Sequence, residues 1–353
     1  MLVTKTLEEI LDAQTREGVL YEKLKDNKVR CYACGHRCVI FEGRRGICQV
    51  RFNEAGQLRV PWGYVAGLQC DPTEKKPFYH VLPGSETLTF GMLGCDYHCS
   101  FCQNWLTSQA LRDPAAGVQP RSVTPEEMIA LARRFGAQMV TSSYNEPLIT
   151  AEWAVDIFKL ARQAGLLTAF VSNGNATREV LEYLRPWTDC YKIDLKAMND
   201  KSYRSLGGVL DHVLKTIEMV HEMGFWMEIV TLVIPGWNDS DAELREAAEF
   251  IAGVSPDIPW HVTAFHKDYK MHDPANTTPD TLIRAAEIGR EAGLRYVYAG
   301  NLPGRVGRWE NTYCPNCEAL LVERYGYFIR QQRVTPAGHC PDCGQTIAGI
   351  WSK

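Results

Sequence analysis

Thirteen cysteines, eleven of them in three tight groups, constrain this 353-residue chain more than any other feature. The groups are Cys31, Cys34, Cys38 and Cys48; Cys95, Cys99 and Cys102; and Cys314, Cys317, Cys340 and Cys343, with Cys70 and Cys190 left single. In a reducing compartment such spacings belong to metal ligands rather than disulfides. The backbone is therefore expected to fold around a metal centre at three places. The start, Met1-Leu2-Val3-Thr4-Lys5-Thr6, lacks the basic region and apolar core of a secretory signal, and no apolar run approaches the ~20 residues that cross a bilayer. A cytoplasmic chain without a membrane partner is the expectation. Thirty-eight Lys and Arg against forty-two Asp and Glu give a net charge of -4 without a long like-charge run, which argues against nucleic acid as a partner.

Residues 1–85 hold a short helix candidate, Leu7-Glu8-Glu9-Ile10-Leu11, the first cysteine group, and a turn-rich stretch with Pro61, Pro72, Pro77 and Pro83. From Thr87 strand-like runs alternate with helix-period segments, the pattern of repeated β-α units around a parallel sheet. The predicted strands are 88–92, 139–143, 168–171, 191–194, 228–233, 261–265 and 296–299. Helix starts are marked by sequences such as Thr124-Pro125-Glu126-Glu127, with Thr124 as cap and Pro125 in the first turn.

A β/α barrel carries its chemistry at the carboxyl ends of its strands. Reading those ends gives Cys95, Cys99 and Cys102 after the first run, Asn145 and Glu146 after the second, and Ser172 and Asn173 after the third. Asp194 and Lys196 stand at the fourth and His266 after the sixth. The stretch Gly94-Cys95-Asp96-Tyr97-His98-Cys99-Ser100-Phe101-Cys102 presents three thiols spaced Cx3Cx2C in one loop. Three thiolates ligate three irons of a cubane and leave the fourth iron open for another ligand. A structural zinc site would need a fourth closed ligand, with His98 or Cys190 as the nearest choices.

The tail pairs Cys314-Pro315-Asn316-Cys317 and Cys340-Pro341-Asp342-Cys343 form a zinc-ribbon-like S4 set. Zinc leads there, with rubredoxin-like iron or an auxiliary cluster as alternatives. The first group, Cx2Cx3Cx9C, suits zinc or an auxiliary iron–sulfur cluster equally, with His36 as a competing ligand. Both sets read as structural staples, or, more pointedly, one of them as a grip on a protein or peptide substrate. The Asp71-to-His80 stretch reads as a solvated loop with charged tips, the alternative being a lining for a substrate entrance.

With these residues in view, the chain resembles the radical S-adenosylmethionine (SAM) superfamily. Within it the chain is similar to the radical SAM member of the AmmeMemoRadiSam system, a relative of the pyruvate formate-lyase activating enzymes. The closer likeness is carried by Cys31 to Cys48 with Glu42-Gly43-Arg44-Arg45-Gly46, by Asp71 to His80, by Cys102-Gln103-Asn104-Trp105, by Tyr144-Asn145-Glu146-Pro147 and by the two tail pairs. The resemblance implies a partial (β/α)6-type TIM-like barrel over residues 86–305, a Cys-rich lead-in over 1–85 and a zinc-ribbon-like tail over 306–353. It implies a 4Fe-4S cluster on Cys95, Cys99 and Cys102, with Phe101 against the adenine of SAM. Most members carry Gly-Gly-Glu after the second strand. Here Tyr144-Asn145-Glu146 keeps only the Glu, which would meet the SAM amino group, with Asn145 beside it.

Ser172 and Asn173 would contact the ribose or methionyl part, the Asp194-x-Lys196 element would face SAM, and His266 would point toward it. The implied activity is reductive cleavage of SAM to a 5'-deoxyadenosyl radical that abstracts hydrogen from a protein or peptide, as in activating enzymes. A one-electron reductant such as flavodoxin or ferredoxin would supply the electron. A radical SAM methyltransferase or a small-molecule-modifying enzyme is the alternative within the class. An iron–sulfur electron carrier or a metal-dependent interaction module is the alternative outside it. No protein nucleophile or general base is assignable.

Overall fold

Each predicted strand run has its strand in the structure, a computed structural model that describes residues 5–353. One sheet of eight strands holds them: β1 (Gly67–Pro72), β2 (Glu86–Gly91), β3 (Met139–Ser142), β4 (Leu167–Ser172), β5 (Cys190–Asp194), β6 (Trp226–Val233), β7 (Trp260–Ala264) and β8 (Val297–Gly300). The strands lie side by side in chain order, parallel from β2 to β8. Strand β1 runs antiparallel along β2, with Leu68 opposite Phe90. Because β1 and β8 do not pair, the sheet remains a partial TIM-like barrel.

Helices α1 (Pro125–Arg134), α2 (Ala151–Gln163), α3 (Arg178–Leu184), α4 (Leu210–Glu222), α5 (Asp241–Val254) and α6 (Pro279–Glu291) cover its outer face. Their starts follow the sequence signals. Thr124 caps α1 in a capping box with Glu127 and Pro125 in the first turn, and the helix buries Met128, Ile129 and Ala132 against the sheet. Loss of such a cap costs about 1 kcal/mol.

Residues 5–65, the larger part of the lead-in expected over 1–85, share a core with the barrel. Thr6 and Glu9 close a capping box on the helix Leu7–Ala13. Two small antiparallel sheets follow, one made of Tyr21–Lys23, Val29–Cys31 and Val39–Ile40. Leu11, Leu20, Val29, Leu58 and Val60 belong to the same buried apolar cluster as the barrel interior. Arg51 fastens the join, because its fully buried guanidinium grips both oxygens of Glu152 on α2 at 2.9 and 2.7 Å.

The Asp71-to-His80 stretch departs from the expected solvated loop. Glu74, Lys76, Phe78, Tyr79 and His80 are all buried. The backbone N–H groups of Tyr79 and His80 donate to the buried Glu228 at 3.0 and 2.9 Å, and His261 Nε2 lies 2.6 Å from the same carboxylate. These partners come from β6 and β7, far away in sequence, so local polarity gave no sign of them. The tail seals the same end of the barrel. Its strands Thr312–Tyr313, Leu320–Tyr325 and Phe328–Gln332 bring the buried Arg324 to the Tyr79 carbonyl at 2.8 Å, and Ile350 N–H donates to the His80 carbonyl at 2.7 Å. With the amino-end mouth plugged, the open mouth is the one at the strand carboxyl ends. Among the described residues no helix is long and apolar enough to cross a membrane.

Candidate active site

A cavity of about 390 Å³ opens at the carboxyl ends of the strands. Cys95, Cys99 and Cys102 line its wall. Their loop leaves β2 through Gly94, whose φ of +94° and close approach to the Cys48 carbonyl, 3.1 Å from where a Cβ would sit, exclude a larger residue. Tyr97 N–H donates to Cys95 Sγ at 3.4 Å, and Cys102 Sγ meets Ser108 Oγ at 3.1 Å. Burial pushes the Cys99 thiol up to about 12 against the pull of Lys196, and raises Cys95 and Cys102 as well. Thiols held this way ionise readily only onto a bound metal centre. No fourth closing ligand joins them: His98 is exposed beside Gly207, and Cys190 is buried at the amino end of β5 in a separate apolar cluster.

Two buried carboxylates stand behind the loop. Glu146 accepts hydrogen bonds from Ser172 Oγ at 2.8 Å, Asn173 N–H at 2.7 Å and Leu148 N–H at 3.1 Å. Asp96, fully buried, accepts from the side-chain amides of Asn173 and Asn175 at 2.7 and 2.8 Å. Burial and the neighbouring Asp96 raise the Glu146 carboxyl to about 8 in spite of its three donors. A carboxyl raised by burial and by a neighbouring carboxylate favours a cationic ligand, whose charge would restore Glu146 to the ionised form. SAM, a sulfonium with an amino-acid end, has that chemistry.

Asp194 bridges two cations, Lys192 and, at 3.2 Å, Lys196. Burial pushes its carboxyl up, but the two ammonium groups win and hold it down to about 2. All three side chains line the cavity, in line with the two-residue alternation of a strand. Phe101, buried in the wall, meets Trp237 edge-on with centroids 5.3 Å apart. Asn145 lines the cavity but spends its side-chain carbonyl on Met92 N–H at 3.0 Å, pinning the loop after β3 to the end of β2.

Of the expected site residues, Cys95, Cys99, Cys102, Phe101, Asn145, Glu146, Ser172, Asn173, Asp194 and Lys196 meet around one cavity. His266 does not. It is exposed, its Nδ1 lies 3.3 Å from the Lys267 carbonyl, and it is not part of the cavity wall. Sequence reasoning passed over Lys192, Tyr144 and Asn301 in the cavity wall and the buried Asp96 behind it, whereas Lys75, Lys76 and Pro77 line the cavity as the alternative reading of the Asp71-to-His80 stretch had it. The signal for Asp96 was its place inside the cysteine loop, and for Lys192 its alternation with Asp194. Lys76 Nζ lies 3.1 Å from the Tyr144 hydroxyl and 3.1 Å from Asp71.

The tail cysteines form a compact set. Cys314 and Cys343 sulfurs lie 3.5 Å apart, Cys317 and Cys340 sulfurs 3.7 Å apart, and all four lie within 4.8 Å of one another. Four convergent sulfurs suit one tetrahedral ion. Among the described residues no other group of three or more Cys, His, Asp or Glu ligand atoms is so compact.

The profile of the Radical SAM superfamily matches residues 90–251. An uncharacterized protein of Methanocaldococcus jannaschii is 37% identical over 335 residues, covering 94% of this chain and 98% of its own length. The pyruvate formate-lyase 1-activating enzyme of Escherichia coli is 27% identical over 240 residues, 61% of this chain and 93% of that enzyme. Among solved structures, a radical SAM methyltransferase from Sphaerobacter thermophilus aligns with a TM-score of 0.49 at 19% identity over 64% of this chain and 70% of its own.

Proposed function

Because the chain belongs to the radical SAM superfamily, with pyruvate formate-lyase activating enzymes among its relatives, we propose that it is an activating-type radical SAM enzyme acting on a protein or peptide. Cys95, Cys99 and Cys102 would hold the 4Fe-4S cluster, which when bound supplies the electron that cleaves SAM to a hydrogen-abstracting 5'-deoxyadenosyl radical. The observation that carries the reading is the meeting of three loop thiols with the buried carboxylate of Glu146 at one cavity, with Asp96 buried behind it.

The chain's own residues then have separable tasks. Glu146, oriented by Ser172 and Asn173, would receive the amino group of SAM through a charge-assisted hydrogen bond. Asp194, fixed between Lys192 and Lys196, presents a polar wall of one net positive charge for the ribose or methionyl part. Phe101 offers an apolar face for the adenine. Together with the plug formed by Tyr79, His80 and Glu228, the wall excludes water from the amino-end side. The tail cysteines would hold zinc as a structural staple.

A cavity of about 390 Å³ is near the lower end of ligand-sized pockets, ~300 to 1,000 Å³. The cluster and SAM would fill much of it. A flavodoxin- or ferredoxin-class reductant is the proposed electron source.

Perdeuterated cell material, separated into macromolecular and small-molecule fractions and offered to the reduced enzyme with SAM, tests the substrate class. Deuterium recovered in 5'-deoxyadenosine from the macromolecular fraction supports the proposal. Deuterium from the small-molecule fraction alone would replace it with the small-molecule-modifying reading.

A further inference from the structure

The amino-terminal cysteines have no part in the chemistry derived above, yet they are the most buried thiol group in the molecule. Cys31, Cys34 and Cys48 are buried, Cys38 is half-buried, and none is in a disulfide. We propose that Cys31, Cys34, Cys38 and Cys48 hold a second iron–sulfur cluster, packed directly against the Cys95-to-Cys102 loop, rather than a single zinc ion.

The structure contains its own standard for a single-ion site. In the tail, four sulfurs crowd within 4.8 Å of one another, as ligands of one tetrahedral ion must. Among the described residues no three sulfurs of the amino-terminal group do so, and neither do the three of the Cys95-to-Cys102 loop. A cluster puts each thiolate on a different iron, so its sulfurs stand wider apart than those around one ion. The amino-terminal four still form one group, since Cys34 feels the charges of Cys31, Cys48 and Cys38 together.

The surroundings agree. Cluster thiolates are held and tuned by N–H donors. Here Ile47 N–H is directed at Cys38, and the N–H groups of Val50 and Arg51 at Cys48. The Arg51 guanidinium, only 1% exposed, interacts electrostatically with Cys31 and Cys48, and its Nε–H has no hydrogen-bond partner. A buried cation with a spare donor beside two thiols matches a centre of net negative charge. His36, the one competing ligand that the sequence offered, places its Nε2 3.9 Å from Asp96.

That same contact brings the two centres together. Asp96 sits 3.7 Å from Cys95 Sγ, and its charge reaches Cys34 and Cys38. The Cys48 carbonyl lies against Gly94 at the root of the Cys95 loop. A cluster at this position would be a second electron-holding centre next to the one that meets SAM.

Iron counting tests the site whether or not the radical reading holds. The full chain, expressed with iron and zinc both supplied and purified anaerobically without chemical reconstitution, is assayed for iron, zinc and sulfide. Electron paramagnetic resonance follows after reduction. About eight irons and about one zinc per chain are expected, from two four-iron clusters and the tail ion.

The triple variant Cys95→Ala, Cys99→Ala, Cys102→Ala leaves the amino-terminal group untouched. It should keep about four irons and a reduced-cluster signal, which the further change Cys31→Ala, Cys34→Ala abolishes. A triple variant with two zincs and no iron would overturn the proposal. Magnetic broadening in the fully reduced wild type, beyond the sum of the two single-cluster variants, is the expected mark of adjacency. A simple sum would overturn the direct packing of the two centres.

Discussion

Replacing Arg51 by Met removes a charge that the structure uses twice, and the two uses predict different consequences for the two partners. Arg51 donates to both oxygens of Glu152 at 2.9 and 2.7 Å and to the Ile149 carbonyl at 3.1 Å, with both charged side chains about 1% exposed. Breaking a buried pair by removing one member costs about 3 to 5 kcal/mol, because the other charge is stranded without water. Arg51→Met strands Glu152 and also deprives Cys31 and Cys48 of their compensating cation, so it should reach the upper part of that range. Glu152→Gln keeps an acceptor for one guanidinium N–H and leaves Arg51 facing the thiols, so it should cost about half as much, roughly 2 kcal/mol.

Anaerobic urea unfolding of the metal-loaded protein, followed by circular dichroism and paired with iron analysis, reads both quantities. Arg51→Met should also lose iron from the amino-terminal site, while Glu152→Gln keeps it. Equal destabilisation by the two variants with unchanged iron would refute the double role of Arg51. The pH dependence has a definite sign. Burial raises the Glu152 carboxyl but Arg51 outweighs it, and the net lowering makes the pair's stabilisation complete above the ordinary Glu value and lost as pH falls below it.

Other outcomes follow from the same geometry. Glu146→Gln should weaken SAM binding to the cluster-loaded protein about 10- to 100-fold in equilibrium dialysis, the range of a charged hydrogen bond of ~1.5 to 3 kcal/mol. Since the Glu146 carboxyl stands near 8 in the ligand-free protein, it must lose a proton to meet a cation. Wild-type affinity should therefore rise toward pH 8, with a flatter profile in Glu146→Gln. A Cβ at Gly91 would collide with the Ser143 carbonyl, so Gly91→Ala should cost about 1 to 3 kcal/mol in thermal or urea unfolding and loosen the Glu146 loop. Deleting residues 306–353 removes Arg324 and Trp351 from the barrel's amino-end plug, so SAM cleavage and substrate turnover should fall together. Survival of SAM cleavage alone would instead make the tail a substrate grip.

The barrel was legible because burial on both faces makes parallel strands read as apolar runs, and the helices between them announce their starts, as Thr124-Pro125 does for α1. The cavity was legible because its residues stand at strand ends. Strand β1 was not legible. Gln69 is exposed and Cys70 and Asp71 are half-buried on an edge, with no apolar alternation to mark them. The burial of His80 was equally hidden, since its partners Glu228, Tyr298 and Ala348 come from elements more than a hundred residues away. His266 is the one residue expected to meet SAM that stands outside the cavity wall. It follows a strand but is exposed, while Phe265 just before it is buried with its N–H on Thr277 Oγ.

The central claim is that the Cys95-to-Cys102 loop generates a radical from SAM. Its most direct test is anaerobic: reduced, cluster-loaded wild type and Cys99→Ala are each incubated with SAM, and 5'-deoxyadenosine is quantified by mass spectrometry. The account predicts product from the wild type and none from Cys99→Ala. Equal product from both, or none from a wild type whose cluster is intact and reduced and whose deuterated substrate fractions are present, would contradict it.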